Sequence, residues 1–314
     1  MLRFIVRRLF ISVPVLALVS LMTFCVIWLV PGDPAAVFLD ASATPAQLAR
    51  IRHQLGLDEP FYLQMASWYG RILHGNLGQS ILLNRGVTSE IIDRLPVTLS
   101  LTALALAFAV LPGVLAGVLT AMRHGEWTDQ SIMVLALLGL SVPEFWLGLV
   151  LIFTFAVDLR WFPTGGYVPI GQSVIGWWRC MVLPAFTLAS VQVGFIARMT
   201  RSTMLEVLHQ DFIRTADAKG LPWSVIAVRR GLPSALVPIL TVIGVVAAGL
   251  LGGAVAIELV FSLPGVGRLI IGAILSRDFP VVQGGLLFVA VIYLLINLIV
   301  DILYAVVDPR VRLE

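Results

Sequence analysis

The chain has 314 residues, 59% of them hydrophobic and 12% charged, with a formal net charge of +3. So low a charged fraction, against roughly 25% in soluble domains, excludes an ordinary water-soluble domain. Its basic residues flank apolar runs, which gives no support for nucleic-acid binding, and Cys25 and Cys180 offer neither a disulfide framework nor a CxxC metal pair.

Charges are nearly excluded from six long stretches, approximately 9–30, 97–121, 132–157, 181–197, 236–257 and 281–300, Glu144 in the third being the one exception. About 20 apolar residues suffice for a helix to cross the hydrocarbon core. Six membrane spans are therefore expected, the fourth being the shortest, with its helix extending toward Arg198. Arg3, Arg7 and Arg8 precede an apolar run longer than a signal-peptide core, and no small-x-small site precedes Pro31-Gly32-Asp33-Pro34. The first span is read as uncleaved. Residues 31–96 are too long for a plain connection and should carry their own structure. Thr44-Pro45-Ala46 signals a helix start, with turns over 46–55 ending at Gly56, and a second helix is expected over 62–73. Gly75, Gly78 and Gly86 then mark turns before 89–95 leads into the second span.

Lys and Arg counts set the orientation. With the N-terminus inside, the cytoplasmic side holds twelve (Arg3, Arg7, Arg8, Arg123, Arg198, Arg201, Arg214, Lys219, Arg229, Arg230, Arg310, Arg312) and the outer side nine. Five of those nine fall in the long 31–96 segment, which the rule discounts, leaving twelve against four. The expected fold is an all-α membrane protein, N-in and C-in. It has a first helix (1–30), an extracytoplasmic insertion (31–96) and a five-helix core (97–314) with a cytoplasmic hairpin at 198–234.

That hairpin is the most polar part of the chain. Leu205, Leu208, Phe212 and Ala216 recur at helical spacing and predict one apolar face. Lys219 then Gly220 suit a helix C-terminus, and Pro222 suits the start of a second helix carrying Trp223, Ile226 and Ala227. Ala216, Gly220 and Leu232-Pro233 fall on the spacing of the EAA loop of ABC-importer permeases, although Arg214-Thr215-Ala216 stands where Glu-Ala-Ala is usual. The runs RRLFISVPVLALVSLMTF, LVPGDPA, QLGLDEP, SVPEFWLG, VFSLPGVGRL and LINLIVDILYAVVDPRVR occur in order along the chain. Together they resemble permeases of the dipeptide/oligopeptide/nickel class over essentially its whole length.

The resemblance implies a permease subunit of an ATP-driven importer in a bacterial inner membrane. Its partners would be a second, homologous permease, two cytoplasmic ATPases binding ATP and Mg, and an extracytoplasmic solute-binding protein. It also implies that Phe212, Ile213, Arg214, Thr215, Ala216, Asp217, Ala218, Lys219, Gly220, Leu221, Leu232 and Pro233 form the ATPase-coupling segment. Phe212 and Ile213 would be apolar anchors, and the small Ala216, Ala218 and Gly220 would admit close approach. The chain has no GxxxxGK[ST] loop to cradle nucleotide phosphates, and Lys219 is its single lysine. No cofactor, metal or catalytic residue is therefore expected on it. The implied substrates are peptides or nickel complexes, and the absence of metal-ligand spacing in the spans favours peptides.

Ionisable residues inside a membrane are costly and often functional, so Glu144, Glu258 and Asp301 are candidates for the translocation pathway, with pairing inside the bundle as the alternative. Gln192 and Asn297 read as interhelical hydrogen-bond partners, and Gly249-x-x-x-Gly253 as a packing motif. Pro264-Gly265-Val266-Gly267 reads as a turn before a short helix over 269–275. Other function classes fit less well. The four histidines lie in loops or the hairpin, so no base faces a nucleophile within the spans. A self-sufficient ion-coupled transporter commonly shows an internal repeat, and none is seen here.

Overall fold

Backbone polar groups in hydrocarbon must be satisfied within their own segment, which leaves the helix as the spanning form for so apolar a chain. The structure, a computed structural model, describes residues 2–29, 52, 58–80 and 82–307. Within them the regular structure is helical apart from one isolated antiparallel bridge, Gln79 with Gly86. The helix expected over 46–55, apart from Arg52, and the motifs at 30–51 and 308–314 lie outside the described residues.

The helices in chain order are α1 (Leu2–Leu29), α2 (Phe61–Leu73), α3 (Val87–Met122), α4 (Trp127–Ser141), α5 (Glu144–Leu151), α6 (Val174–Leu208), α7 (Asp211–Ala218), α8 (Trp223–Ile226), α9 (Leu232–Val260), α10 (Val266–Leu275) and α11 (Phe279–Val307). Segments with wider π-type turns continue α5 through Ile152–Asp158 and join α8 to α9 through Ala227–Gly231. Five segments are long and apolar enough to cross a membrane, and α4 with α5, sharply bent between them, makes a sixth if the pair is counted as one span.

Two units contain these elements. The larger comprises residues 1–7, 97–264 and 295–314. At its centre runs α6, whose Met181, Leu188, Ile196 and Met204 are wholly buried. The predicted fourth span, short by its uncharged core alone, is thus a 35-residue helix. Ser173 caps its start by accepting the Gly176 N–H at 3.0 Å, and the polar residues from Arg198 onward continue it. Small residues set the approach of its neighbours. A Cβ on Gly194 of α6 would lie 2.5 Å from the Ala136 carbonyl oxygen of α4, and one on Gly117 of α3 would lie 2.5 Å from Thr200.

The third apolar stretch does not cross in a straight line. Proline disfavours helical dihedrals in the residue before it, and Val142 is extended (φ −87°, ψ 124°) ahead of Pro143. The two halves meet at 96°. In α9 the packing motif works at one end only. Gly253 lies against Leu188, with 2.8 Å from its Cβ position to Cδ1, whereas Gly249 and Gly252 have open space beside them. Gly244 supplies the second close approach, to Val300 of α11.

The smaller unit comprises residues 8–96 and 265–294. Phe24 of α1 meets Trp68 of α2 with ring centroids 5.4 Å apart, and the Ser20 and Tyr69 hydroxyls share a hydrogen bond of 2.9 Å. A second apolar cluster joins Val87 and Ile91 to Val266, Ile270 and Val282. Helix α10 starts at Val266, three residues before the predicted start, directly after the extended Gly265. Helix α3 absorbs the predicted lead-in at 89–95, because Glu90 in its first turn binds Arg85 at 2.7 Å and Arg94 at 3.0 Å. An acidic side chain at that end complements the helix dipole.

Candidate functional site

The charged hairpin is built on a small apolar core. Ile213 and Ala216 of α7 stand three residues apart on one face and are buried with Val118, Met204, Leu208, Ile226 and Ala235. The predicted continuous face is interrupted, since α6 ends at Leu208, His209 and Gln210 intervene, and α7 starts afresh at Asp211. That break reorients the second helix. Ile213 consequently points into the chain's own core and is not an outward anchor, and Ala216, 9% exposed, also faces inward.

What the hairpin presents outward is Phe212 (42% exposed), Leu221 and Trp223, with Arg214, Thr215, Asp217, Ala218 and Lys219 between them. Gly220 closes α7 at φ +74°, a left-handed value that favours glycine, and its Cβ position is open. Its N–H donates to the Asp217 carbonyl at 2.8 Å. Pro222 caps α8, and Leu232 and Pro233 open α9. A cleft of about 380 Å³ lies beside the hairpin, walled by His124, Leu205, His209, Ile213 and Trp223 among others. A short amphipathic helix with an aromatic, partly charged outer face suits docking of another protein.

The three intramembrane carboxylates differ in setting. Glu258 is wholly buried and accepts a hydrogen bond from the Thr98 hydroxyl at 2.5 Å, so it ties α9 to α3. Asp301 is half-buried in α11. Glu144 stands at the first residue after the break in the third span, half-buried, with Oε2 3.3 Å from where a Cβ on Gly253 would be. Among the described residues it has neither a hydrogen bond nor an ion pair. Gln192 and Asn297 make no side-chain hydrogen bond among the described residues.

Sequence reasoning missed one cluster. Asp129, in the first turn of α4 and 2% exposed, receives Arg201 of α6 through Nε at 2.6 Å and Nη2 at 2.7 Å. The Gly125 N–H at 3.0 Å also donates to it, and His124 Nδ1 lies 2.9 Å from Arg201 Nη2. The pair spans 72 positions of sequence, so no local pattern announces it.

The described residues thus form a bundle of candidate membrane helices with a charged hairpin between two of them. The family of binding-protein-dependent transport system inner membrane components matches residues 113–313, and its N-terminal companion matches residues 1–102. The chain belongs to this family, in the dipeptide/oligopeptide class of ABC-importer permeases, and is an inner membrane protein. It is 46% identical over 310 residues to a putative peptide transport system permease of Brucella abortus, covering 99% of both chains. It is 41% identical over 333 residues to the di/tripeptide permease DppB of Pseudomonas aeruginosa, covering 99% of both. The glutathione permease GsiC of Escherichia coli is 37% identical over 312 residues, again with 99% of both covered. In fold it resembles a chain of the inward-facing MetNI methionine ABC transporter, at TM-score 0.56 and 20% identity, covering 69% of this chain and 96% of that one.

Proposed function

We propose that this chain is the permease of an ATP-driven importer of di- or oligopeptides, forming the pathway with a second permease. Two ATPases on the cytoplasmic side supply the energy, and an extracytoplasmic binding protein delivers substrate. The observation that carries this reading is similarity over 99% of the chain to relatives named as peptide permeases. Arginine asymmetry supports an N-in, C-in orientation with the hairpin in the cytoplasm. Phe212, Thr215, Leu221 and Trp223, exposed beside the glycine stop, are then the surface that enters the ATPase. Push on α7 passes to α6, from which it is separated by only His209 and Gln210. Glu144 contributes to the pathway at the break.

Reconstitution tests this. In proteoliposomes the chain alone should hydrolyse no ATP and move no peptide. With the sister permease and ATPases it should take up labelled dipeptide when ATP and loaded binding protein are both present. Uptake by the chain alone on an ion gradient would sink the proposal, and uptake of a nickel complex in place of peptide would reassign the substrate.

A further inference from the structure

Helices α4 and α6 pack along their length, and two of their contacts have matching separation. Arg201 meets Asp129 and Gly194 meets Ala136, so the contacts are seven residues apart on each helix (201 to 194, 129 to 136) and the helices run antiparallel. The two contacts differ in kind. The glycine contact is a close van der Waals approach, and Gly139 of α4 makes a looser one to the Ser190 carbonyl oxygen, 3.6 Å from its Cβ position. The guanidinium–carboxylate contact is a two-point fork with fixed geometry. Asp129 is nearly inaccessible, and Arg201 is three-quarters covered, with a side-chain exposure of 24%. This is therefore not a screened surface pair that opens and closes freely. Arg201 lies two helical turns before Leu208, where α6 ends and the hairpin begins. Asp129 lies in the first turn of α4, whose far end is the break at Val142-Pro143 ahead of Glu144.

We propose that the Asp129–Arg201 pair is the positioning strut that converts movement of the hairpin into movement of the broken span. With both contacts in place, α4 follows α6 as a rigid lever and displaces the break. With the ion pair removed, α4 keeps only van der Waals contacts with α6, at Ala136–Gly194 and Gly139–Ser190, and loses its fixed attachment at the hairpin end, so hairpin motion is delivered less completely to Glu144. Neither residue touches substrate. The inference rests on the coupling role proposed for the hairpin.

The test uses the complete reconstituted transporter and reads peptide moved per ATP hydrolysed, a ratio that a purely structural role would leave unmoved. Asp129→Asn and Arg201→Met should each lower that ratio about tenfold while both ATPases remain bound. Arg201→Lys, which keeps the charge but not the fork, should fall between. The exchange Asp129→Arg with Arg201→Asp should recover a substantial part of the ratio. Wild-type ratios in the single variants overturn the proposal, as does loss of the chain from the membrane in every variant, or failure of the exchange to recover anything. Phe212→Asp in the same assay separates the two levels. If it uncouples while the Asp129 variants do not, the strut alone is wrong; if it leaves uptake and ATPase binding intact, the coupling reading itself fails.

Discussion

Phe212→Asp and Gly220→Val are each expected to reduce peptide uptake at least about tenfold, with the chain still inserted at near-normal levels. The two act differently. Phe212 is 42% exposed and contributes nothing to the apolar core under the hairpin, so a carboxylate there costs the fold little. In an ATPase cleft the same carboxylate replaces an aromatic contact and brings an unpaired charge into a covered surface. At Gly220 there is room for a side chain but φ is +74°, where a β-branched residue is strained by about 1–3 kcal/mol. The valine forces the turn between α7 and α8 to open and misplaces Leu221 and Trp223. Uptake and co-purification of ATPases from the same membranes read both effects. Ala216→Asp is a poor probe of docking despite its place in the motif. It would bury a carboxylate among Met204, Leu208 and Ile226, and its loss would report folding.

The second large effect is expected at Gly194. A Cβ there would lie 2.5 Å from the Ala136 backbone oxygen, and backbone cannot yield as a flexible side chain does. Gly194→Val must therefore separate α4 from α6, with a cost of about 1–3 kcal/mol or more for overpacking. We expect strongly reduced accumulation and a lowered unfolding midpoint in detergent. Gly249→Ala and Gly252→Ala are the controls, because nothing lies within 4 Å of either Cβ position. Those two should accumulate normally. Equal loss in all three would show that glycine content, not the particular crossing, governs stability. Equal tolerance would show that α4 and α6 are not packed this closely in the membrane.

Much of this architecture was legible in the amino-acid order. Exclusion of charge marked the continuous spans, and the Lys219-Gly220-Leu221-Pro222 run marked the hairpin turn. These are local signals, each written within a few residues. The interruption at His209-Gln210 was not legible, because Leu205, Leu208, Phe212 and Ala216 keep helical spacing straight across it. Only packing of Ile213 and Ala216 onto Met204 and Leu208 distinguishes one bent unit from one straight helix. The settings of Glu258 and Asp129 were equally hidden. Their partners, Thr98 and Arg201, are 160 and 72 residues away, and a lone carboxylate in a span looks alike whether it faces a pathway or a hydroxyl. In Gly249-x-x-x-Gly253 the spacing predicted contact at both glycines, but the neighbour that fills such a groove is not encoded in the motif, and only Gly253 has one.

The central claim is that the hairpin is the cytoplasmic handle by which ATPases move this permease. It is tested most directly at Thr215, which is exposed at the middle of α7 between Phe212 and Lys219. With Cys25 and Cys180 replaced, a single Thr215→Cys should be shielded from an impermeant thiol reagent in sealed cells. It should be labelled in inside-out vesicles lacking the ATPases. In the assembled transporter it should crosslink to an ATPase subunit through a short thiol bridge, with a yield that changes when ATP is added. Labelling from outside in sealed cells, or free labelling in the assembled complex with no crosslink, would contradict the account.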